Sequence, residues 1–355
     1  MNNGSAVGIN INGIIFKKES LKKVLLSEIK TQTISRAHFF HPMPGDRFLS
    51  LLRAGDFVEP SFVSHYLEKG MLNLYQLDMI DDQDFSDYKK AWSDLKSAKT
   101  ESQKKIQRDF ILKKVAKDYW LNDEKSFLTF VVASFEEFFI YPPHILDHVQ
   151  NESTLLYTRA LLISAVSSIN ALINNYTDYA FVKDLYNTAF IMDYGLVDFG
   201  NFNYVMSLAC EAERNKPGSG IEVLKKYKRS EGEIAIFKNH PIISFERAAE
   251  QHEHFTYPEV TNFIKFHHEK TDGSGFPKGF SYSAMSDAET LLIFCDYLIP
   301  FREHIFKLGD GKLIIKDYFE NLQNIEDQYL LPILKMIHNW QECMNWALKT
   351  EEDAA

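Results

Sequence analysis

The chain has 355 residues, 45% of them hydrophobic, which is long enough for two domains with cores of their own. Its formal net charge of -10, with no block of consecutive lysines or arginines, excludes the basic surface that nucleic-acid backbones attract. Only Cys210, Cys295 and Cys343 occur, without a CxxC pair, which excludes a disulfide framework and a thiolate zinc site.

The opening MNNGSAVGININGIIF lacks the basic segment and cleavage pattern of a secretory leader, and no window reaches the uninterrupted apolar length of a membrane helix. A reducing cytoplasm, with no membrane partner, is the expectation. Val7 to Phe16 alternates loosely and predicts a strand; ESLKKVLLSEIK carries apolar residues at helical spacing; FVEPSFVSHYLEKGMLNLYQL predicts a short helix ending at Gly70, then a second strand. Residues 1–83 are therefore expected to form a small α+β module. Residues 84–126 predict a solvated connecting helical segment, with Trp92, Leu95, Ile106 and Phe110 in one apolar stripe.

From Phe127 nearly every segment has helical period, so residues 127–350 predict a bundle and the chain as a whole a mainly α protein. Ser286 and Glu289 form a capping box ahead of LLIFCDYLI, in which Cys295 packs as a small hydrophobe.

Two acids in this region stand among residues a helix would bury: Asp193 in TAFIMDYGLV and Asp296 in LLIFCDYLI. A buried carboxylate is costly without a cation or several hydrogen bonds. His240, before Pro241, and the adjacent His267 and His268 supply imidazoles, the last two beside a turn made by Gly273 and Gly275. Carboxylates and imidazoles without thiolates suit iron, manganese or zinc in a non-structural site. Singly, each residue has a plainer reading: His240 as a cap, or an acid held by backbone amides or by an arginine such as Arg247. The five together point to a site. The remaining histidines show no ligand spacing.

HHEKTDGSGFP (His267 to Pro277) resembles the signature HHExxDGxGYP of the HD-GYP family, a helical branch of the HD superfamily. The resemblance implies a helical HD-GYP-like bundle, preceded by a regulatory module, that hydrolyses cyclic di-GMP at a two- or three-metal centre. It places Asp193, His240, His267, His268 and Asp296 as metal ligands. It makes Asp272, Gly273, Gly275, Phe276 and Pro277 a loop for a ligand or for a GGDEF-type signalling protein. MDYGL stands where the family has HDxGK, so Met192 replaces the histidine and Leu196 the lysine beside the substrate phosphate. The helix around LLYTRALLISAV, expected to bring the first histidine ligand, has none, and Phe276 replaces the tyrosine of GYP. One ligand set survives as Asp193, His240, His267 and His268, while the other keeps only Asp193 and Asp296.

Paired metals activate water and stabilise charge on the phosphoryl oxygens, so the expected protein is a degenerate member with little or no phosphodiesterase activity. It would bind one divalent metal, or none if the centre is lost entirely. Its role would be regulation or binding in cyclic di-GMP signalling, as a monomer or a homodimer. The alternative is an enzyme that hydrolyses cyclic di-GMP at a reduced centre, with Glu211, Glu213 or Tyr194 as substitute ligands.

Overall fold

Alternating residues in the first eighty positions form strands, and the apolar-periodic remainder forms helices, giving a mainly α protein with a small sheet region near the N-terminus. The computed structural model describes residues 8–11, 14–44, 47–120, 125–199, 204–270, 272–281, 285–301, 316, 319–320, 322 and 334–352. Within the expected first strand, Val7 lies outside the described residues, and the rest forms two strands: β1 (Gly8–Ile11) pairs antiparallel with β2 (Ile14–Lys17).

The expected helix in ESLKKVLLSEIK is instead β3 (Lys22–Leu25), followed by a single 3-10 turn whose Leu26 is fully buried. Next come β4 (Thr33–Ile34), β5 (Ala37–Met43), β6 (Arg47–Leu52), β7 (Phe57–Val58) and β8 (Asn73–Asp78). Pairing of β3 with β8 overrides the local helical spacing, and the resulting antiparallel sheet has the order β3-β8-β5-β6. Helix α1 (Pro60–Glu68) has proline in its first turn and stops before Gly70, whose φ is +79°, as the sequence predicts.

The stretch expected to connect is two helices, α2 (Asp82–Ser97) and α3 (Glu101–Tyr119), the second restarted by a capping box of Thr100 and Gln103. The restart resets the helical phase. Trp92 and Leu95 are buried, whereas Ile106 and Phe110 face solvent and α3 packs through Ile111, Leu112, Val115 and Ala116.

The bundle continues with α4 (Leu128–Phe138), α5 (Pro143–Glu152), α6 (Thr154–Ile173), α7 (Tyr179–Ile191), α8 (Tyr204–Asn215), α9 (Ser219–Lys226) and α10 (Glu231–Ala249). A 3-10 helix (Pro258–Phe266), α11 (Thr290–Leu298) and α12 (Leu334–Glu352) complete it. Helix α6 is long and apolar enough to cross a membrane, against the sequence expectation, but 94% of that window is buried inside the protein. The N-terminal strands grip the bundle here: Tyr157 Oη donates to the Gly55 carbonyl at 3.0 Å, and the Phe57 N–H donates to Gln150 Oε1 at 2.6 Å. Ile34, Ala54 and Phe57 share the core of the helices.

Asp184 of α7, fully buried, accepts from the N–H groups of Thr256 (2.8 Å) and Tyr257 (2.7 Å), fixing the entry to the 3-10 helix that ends at His267. Burial pushes its carboxyl up despite those amides. A folded pKa above the unfolded one means that the charge costs stability at neutral pH, and that the cost fades as pH falls through the raised pKa. Asp184→Asn keeps an acceptor and removes the charge. Its melting temperature should equal or exceed the parent's at pH 7, with the gap closing as pH falls toward the ordinary carboxylate range. Asp184→Ala should instead lose about 1–3 kcal/mol, because the amides go unpaired.

Candidate metal centre

Elements converging from three sides assemble the site. Helix α7 ends at Ile191, and Met192 and Asp193 turn into a 3-10 segment (Tyr194–Phe199). Its Gly195 lies so near α10 that a Cβ would come within 2.6 Å of the His240 carbonyl, and its N–H donates to Ser244 Oγ at 2.8 Å. That contact sets Asp193 beside His240. Helix α10 runs unbroken through His240 and Pro241, so His240 is a mid-helix, buried residue and no cap. The 3-10 helix delivers His267 and His268 from a second side, and α11 brings Asp296 from a third. Asp193 is 8% exposed and the other four 1% or less.

Asp193 Oδ1 lies 3.6 Å from Nε2 of both His240 and His267, which are 3.4 Å from each other; His268 Nε2 is 3.0 Å from His240 Nε2. The Nδ1–H of His240 donates to the Phe237 carbonyl at 2.7 Å, and that of His267 to the Ile264 carbonyl at 2.6 Å. A carbonyl only accepts, so both rings carry a proton on Nδ1 and turn Nε2 inward. Burial lowers the pKa of His240, aided by His267, and holds that of His268 well below the ordinary value, with His267 and His240 adding to the effect. Burial alone would raise the Asp193 carboxyl, but the Arg159 guanidinium holds it well below the usual carboxylate range.

The result is three buried imidazoles and one carboxylate whose ligand atoms all lie within 4.8 Å of one another. Asp193 Oδ1 has no hydrogen-bond partner among the described residues. A buried orphan oxygen facing imidazole nitrogens fits one divalent cation, whose nitrogen ligands would lie roughly 3.3 Å apart around a tetrahedral ion.

The other half of the expected centre is filled by protein. Arg159 of α6, fully buried, donates through Nη1 to Asp193 Oδ2, through Nη2 to Asp296 Oδ1 at 2.6 Å, and through Nε to the Ile299 carbonyl at 3.0 Å. Its guanidinium carbon lies 3.6 Å from the centroid of the Phe301 ring. A guanidinium therefore bridges the two carboxylates that a second metal would need. Arg247, considered for this task on sequence, pairs with Glu250 at 3.2 Å instead. The sequence signal for Arg159 is one basic residue inside LLYTRALLISAV, the helix expected to bring a histidine. Met192 and Leu196 are buried apolar side chains.

Each of the three substitute ligands has a partner outside the cluster. Glu211 is held by Arg214 at 2.8 Å, Glu213 accepts from the amides of Gly218 (2.9 Å) and Gly220 (3.0 Å), and Tyr194 Oη lies 2.8 Å from His148 Nδ1.

The loop after the paired histidines rests directly on them. The Phe276 ring stacks on His268 with centroids 4.7 Å apart, and its N–H donates to the His268 carbonyl at 3.2 Å. Buried Glu269 accepts from the amides of Lys278 (2.9 Å) and Phe280 (2.8 Å), while exposed Asp272 accepts from the Ser274 N–H at 2.9 Å. Gly273 has a φ of +77°. Residues from Ser274 to Pro277 wall a cleft of about 490 Å³ opposite Ile234, Lys238 and Asn239. Lys270 is buried, donates to Tyr297 Oη, and is pushed by burial down to about 8, with Asp296 and Glu213 opposing the fall.

A Cβ on Gly275 would stand 2.6 Å from Glu269 Cα and from the Lys270 nitrogen, which are backbone atoms that cannot swing away. Gly275→Ala is therefore expected to lower the melting temperature by several degrees, equivalent to about 1–3 kcal/mol of overpacking, and to weaken metal binding with it. Paired thermal denaturation and metal titration check both.

No protein-family model matches the chain, and no curated protein matches it. Among solved structures the chain is similar to Bd1817, an HDG"Y"P protein from Bdellovibrio bacteriovorus, at 19% identity and a TM-score of 0.32, covering 86% of this chain and 99% of that one.

Proposed function

We propose that the chain is a regulatory or binding protein of cyclic di-GMP signalling, built as a degenerate relative of the HD-GYP phosphodiesterases, with one metal site and little or no hydrolytic activity. The observation that supports this most is Arg159, whose guanidinium joins Asp193 to Asp296 where a second metal would need both carboxylates. Asp193, His240, His267 and His268 are the residues that would hold iron, manganese or zinc. A cation there supplies positive charge and Lewis acidity.

The protein's own residues limit what that charge can do. Arg159 is fully buried and spends its donors on Asp193, Asp296 and the Ile299 carbonyl, so it is not free to follow charge onto a phosphoryl oxygen. Leu196, where the family has a lysine, offers no donor, and Phe276 lacks the hydroxyl of tyrosine. Transition-state charge would thus meet one cation in place of two cations and a lysine.

In this reading residues 1–83 are the regulatory module, 84–126 the connecting helices and 127–350 the signalling domain, working in the cytoplasm. The loop carrying Asp272, Gly273, Gly275, Phe276 and Pro277 meets cyclic di-GMP or a GGDEF-type protein, and the chain acts alone or as a homodimer.

The test is metal content per chain, measured with cyclic di-GMP binding and hydrolysis on one sample. One metal, nucleotide or partner binding and no turnover are expected. Turnover that Asp193→Ala abolishes would establish the reduced-centre phosphodiesterase instead. Absence of both metal and nucleotide binding would leave a scaffold.

A further inference from the structure

We infer that Asp296 serves the metal centre as a positioning residue acting through His268, and not as a ligand of its own; this rests on the one-metal reading above. His240 commits its Nδ1–H to the Phe237 carbonyl, so in the neutral ring Nε2 can only accept. The 3.0 Å contact between His240 Nε2 and His268 Nε2 is therefore an N–H···N bond with His268 as donor. His268 thus carries its proton on Nε2, and its Nδ1 is bare.

That bare Nδ1 faces Asp296 Oδ2 across 3.8 Å. Two acceptors confront each other in a fully buried place, and neither has a hydrogen-bond partner among the described residues. Leaving two buried acceptors unpaired is costly unless another arrangement of the same groups satisfies them. Ligation through His268 Nε2 is that arrangement. A ligand nitrogen bears no proton, so one proton leaves Nε2 while one reaches Nδ1 through water, and the ring stays neutral. The new Nδ1–H then donates to Asp296 Oδ2. One cation thereby accounts for the three orphan atoms around the site: Asp193 Oδ1 as ligand, His268 Nδ1 as donor and Asp296 Oδ2 as acceptor.

Arg159 completes the arrangement. It holds Asp296 Oδ1 at 2.6 Å, which turns Oδ2 toward His268. The chain of orientation runs from guanidinium to carboxylate to imidazole to metal, the carboxylate–histidine pairing that fixes a ligand's tautomer and raises its basicity. Asp296→Asn separates this role from ligation. Asparagine has one acceptor oxygen, which Arg159 claims, so its NH2 would face His268 Nδ1 and hold the ring in the Nε2–H form.

The test uses zinc as the probe on the full chain with nitrogen-15-labelled histidine. In the parent, one equivalent of zinc should move the His268 proton from Nε2 to Nδ1, read from the ring-nitrogen shifts. Asp296→Asn should keep the fold by circular dichroism and bind zinc 10- to 100-fold more weakly. A parent whose His268 keeps its Nε2–H with zinc bound overturns the inference, as does an Asp296→Asn affinity within about twofold of the parent's. If the parent binds no zinc, manganese or iron, the one-metal reading itself fails. The parent's spectra decide the matter even if the variant does not fold.

Discussion

Arg159→Met is expected to lower the stability of the folded protein by about 3–5 kcal/mol, the usual result of deleting one partner from a buried ion pair. The parent pays for burying Asp193 and Asp296 with a guanidinium packed against Phe301 and bonded to both acids. Methionine fills much of the same volume but leaves the carboxylates facing each other with no cation between them. The denaturation midpoint in chelator should fall accordingly. Manganese should then stabilise the variant more than it stabilises the parent, because the vacated space is walled by two acids and a cation that binds only the folded state raises its stability. If Arg159→Met melted with the parent in chelator, the ion pair would not be what holds the two acids.

The charges around the site fit this account. Asp193, Asp296, Glu211 and Glu213 are four carboxylates, and Arg159, Arg214 and Lys270 are three cations packed among them. With neutral histidines the cluster carries one negative charge in excess. One divalent ion leaves it at plus one. Two would leave it at plus three in a dehydrated place, an arrangement that low dielectric penalises heavily.

How much of this was legible in the sequence differs by residue type. The four converging side chains could be read because imidazole pairs and buried acids are scarce in apolar helices and therefore informative where they occur. Arg159 could not, since its partners lie 34 and 137 residues away and a single arginine in an apolar run has several ordinary explanations. The role inferred for Asp296 was out of reach for a related reason. A carboxylate that binds a cation and one that orients a ligand histidine are the same letter, and only the 3.8 Å contact with His268 Nδ1 distinguishes them. In the N-terminal module, helical spacing in ESLKKVLLSEIK was a true local pattern that lost to pairing with β8, roughly fifty residues further on.

Met192→His combined with Arg159→His is expected to raise the metal content from one to two per chain, measured by elemental analysis. The first change puts an imidazole immediately before Asp193, where the HD-GYP signature has its histidine. The second removes the resident cation and puts an imidazole on α6, the helix expected to carry the missing ligand. Asp193 Oδ2 and Asp296 Oδ1, now engaged by Arg159, would both become available. Met192→His alone should stay at one metal, because the guanidinium still holds the carboxylates. That contrast isolates Arg159 as the element that excludes the second ion, rather than a mere shortage of histidines. Replacing a monocation by a dication adds a single positive charge, so the double variant need not pay the penalty that an extra ion beside Arg159 would incur. Hydrolysis of cyclic di-GMP should become detectable, yet remain about 100- to 1000-fold below a full centre, since Leu196 still supplies no donor to the phosphate. A double variant that folds and still holds one metal would show that the space around Arg159 has closed to cations altogether.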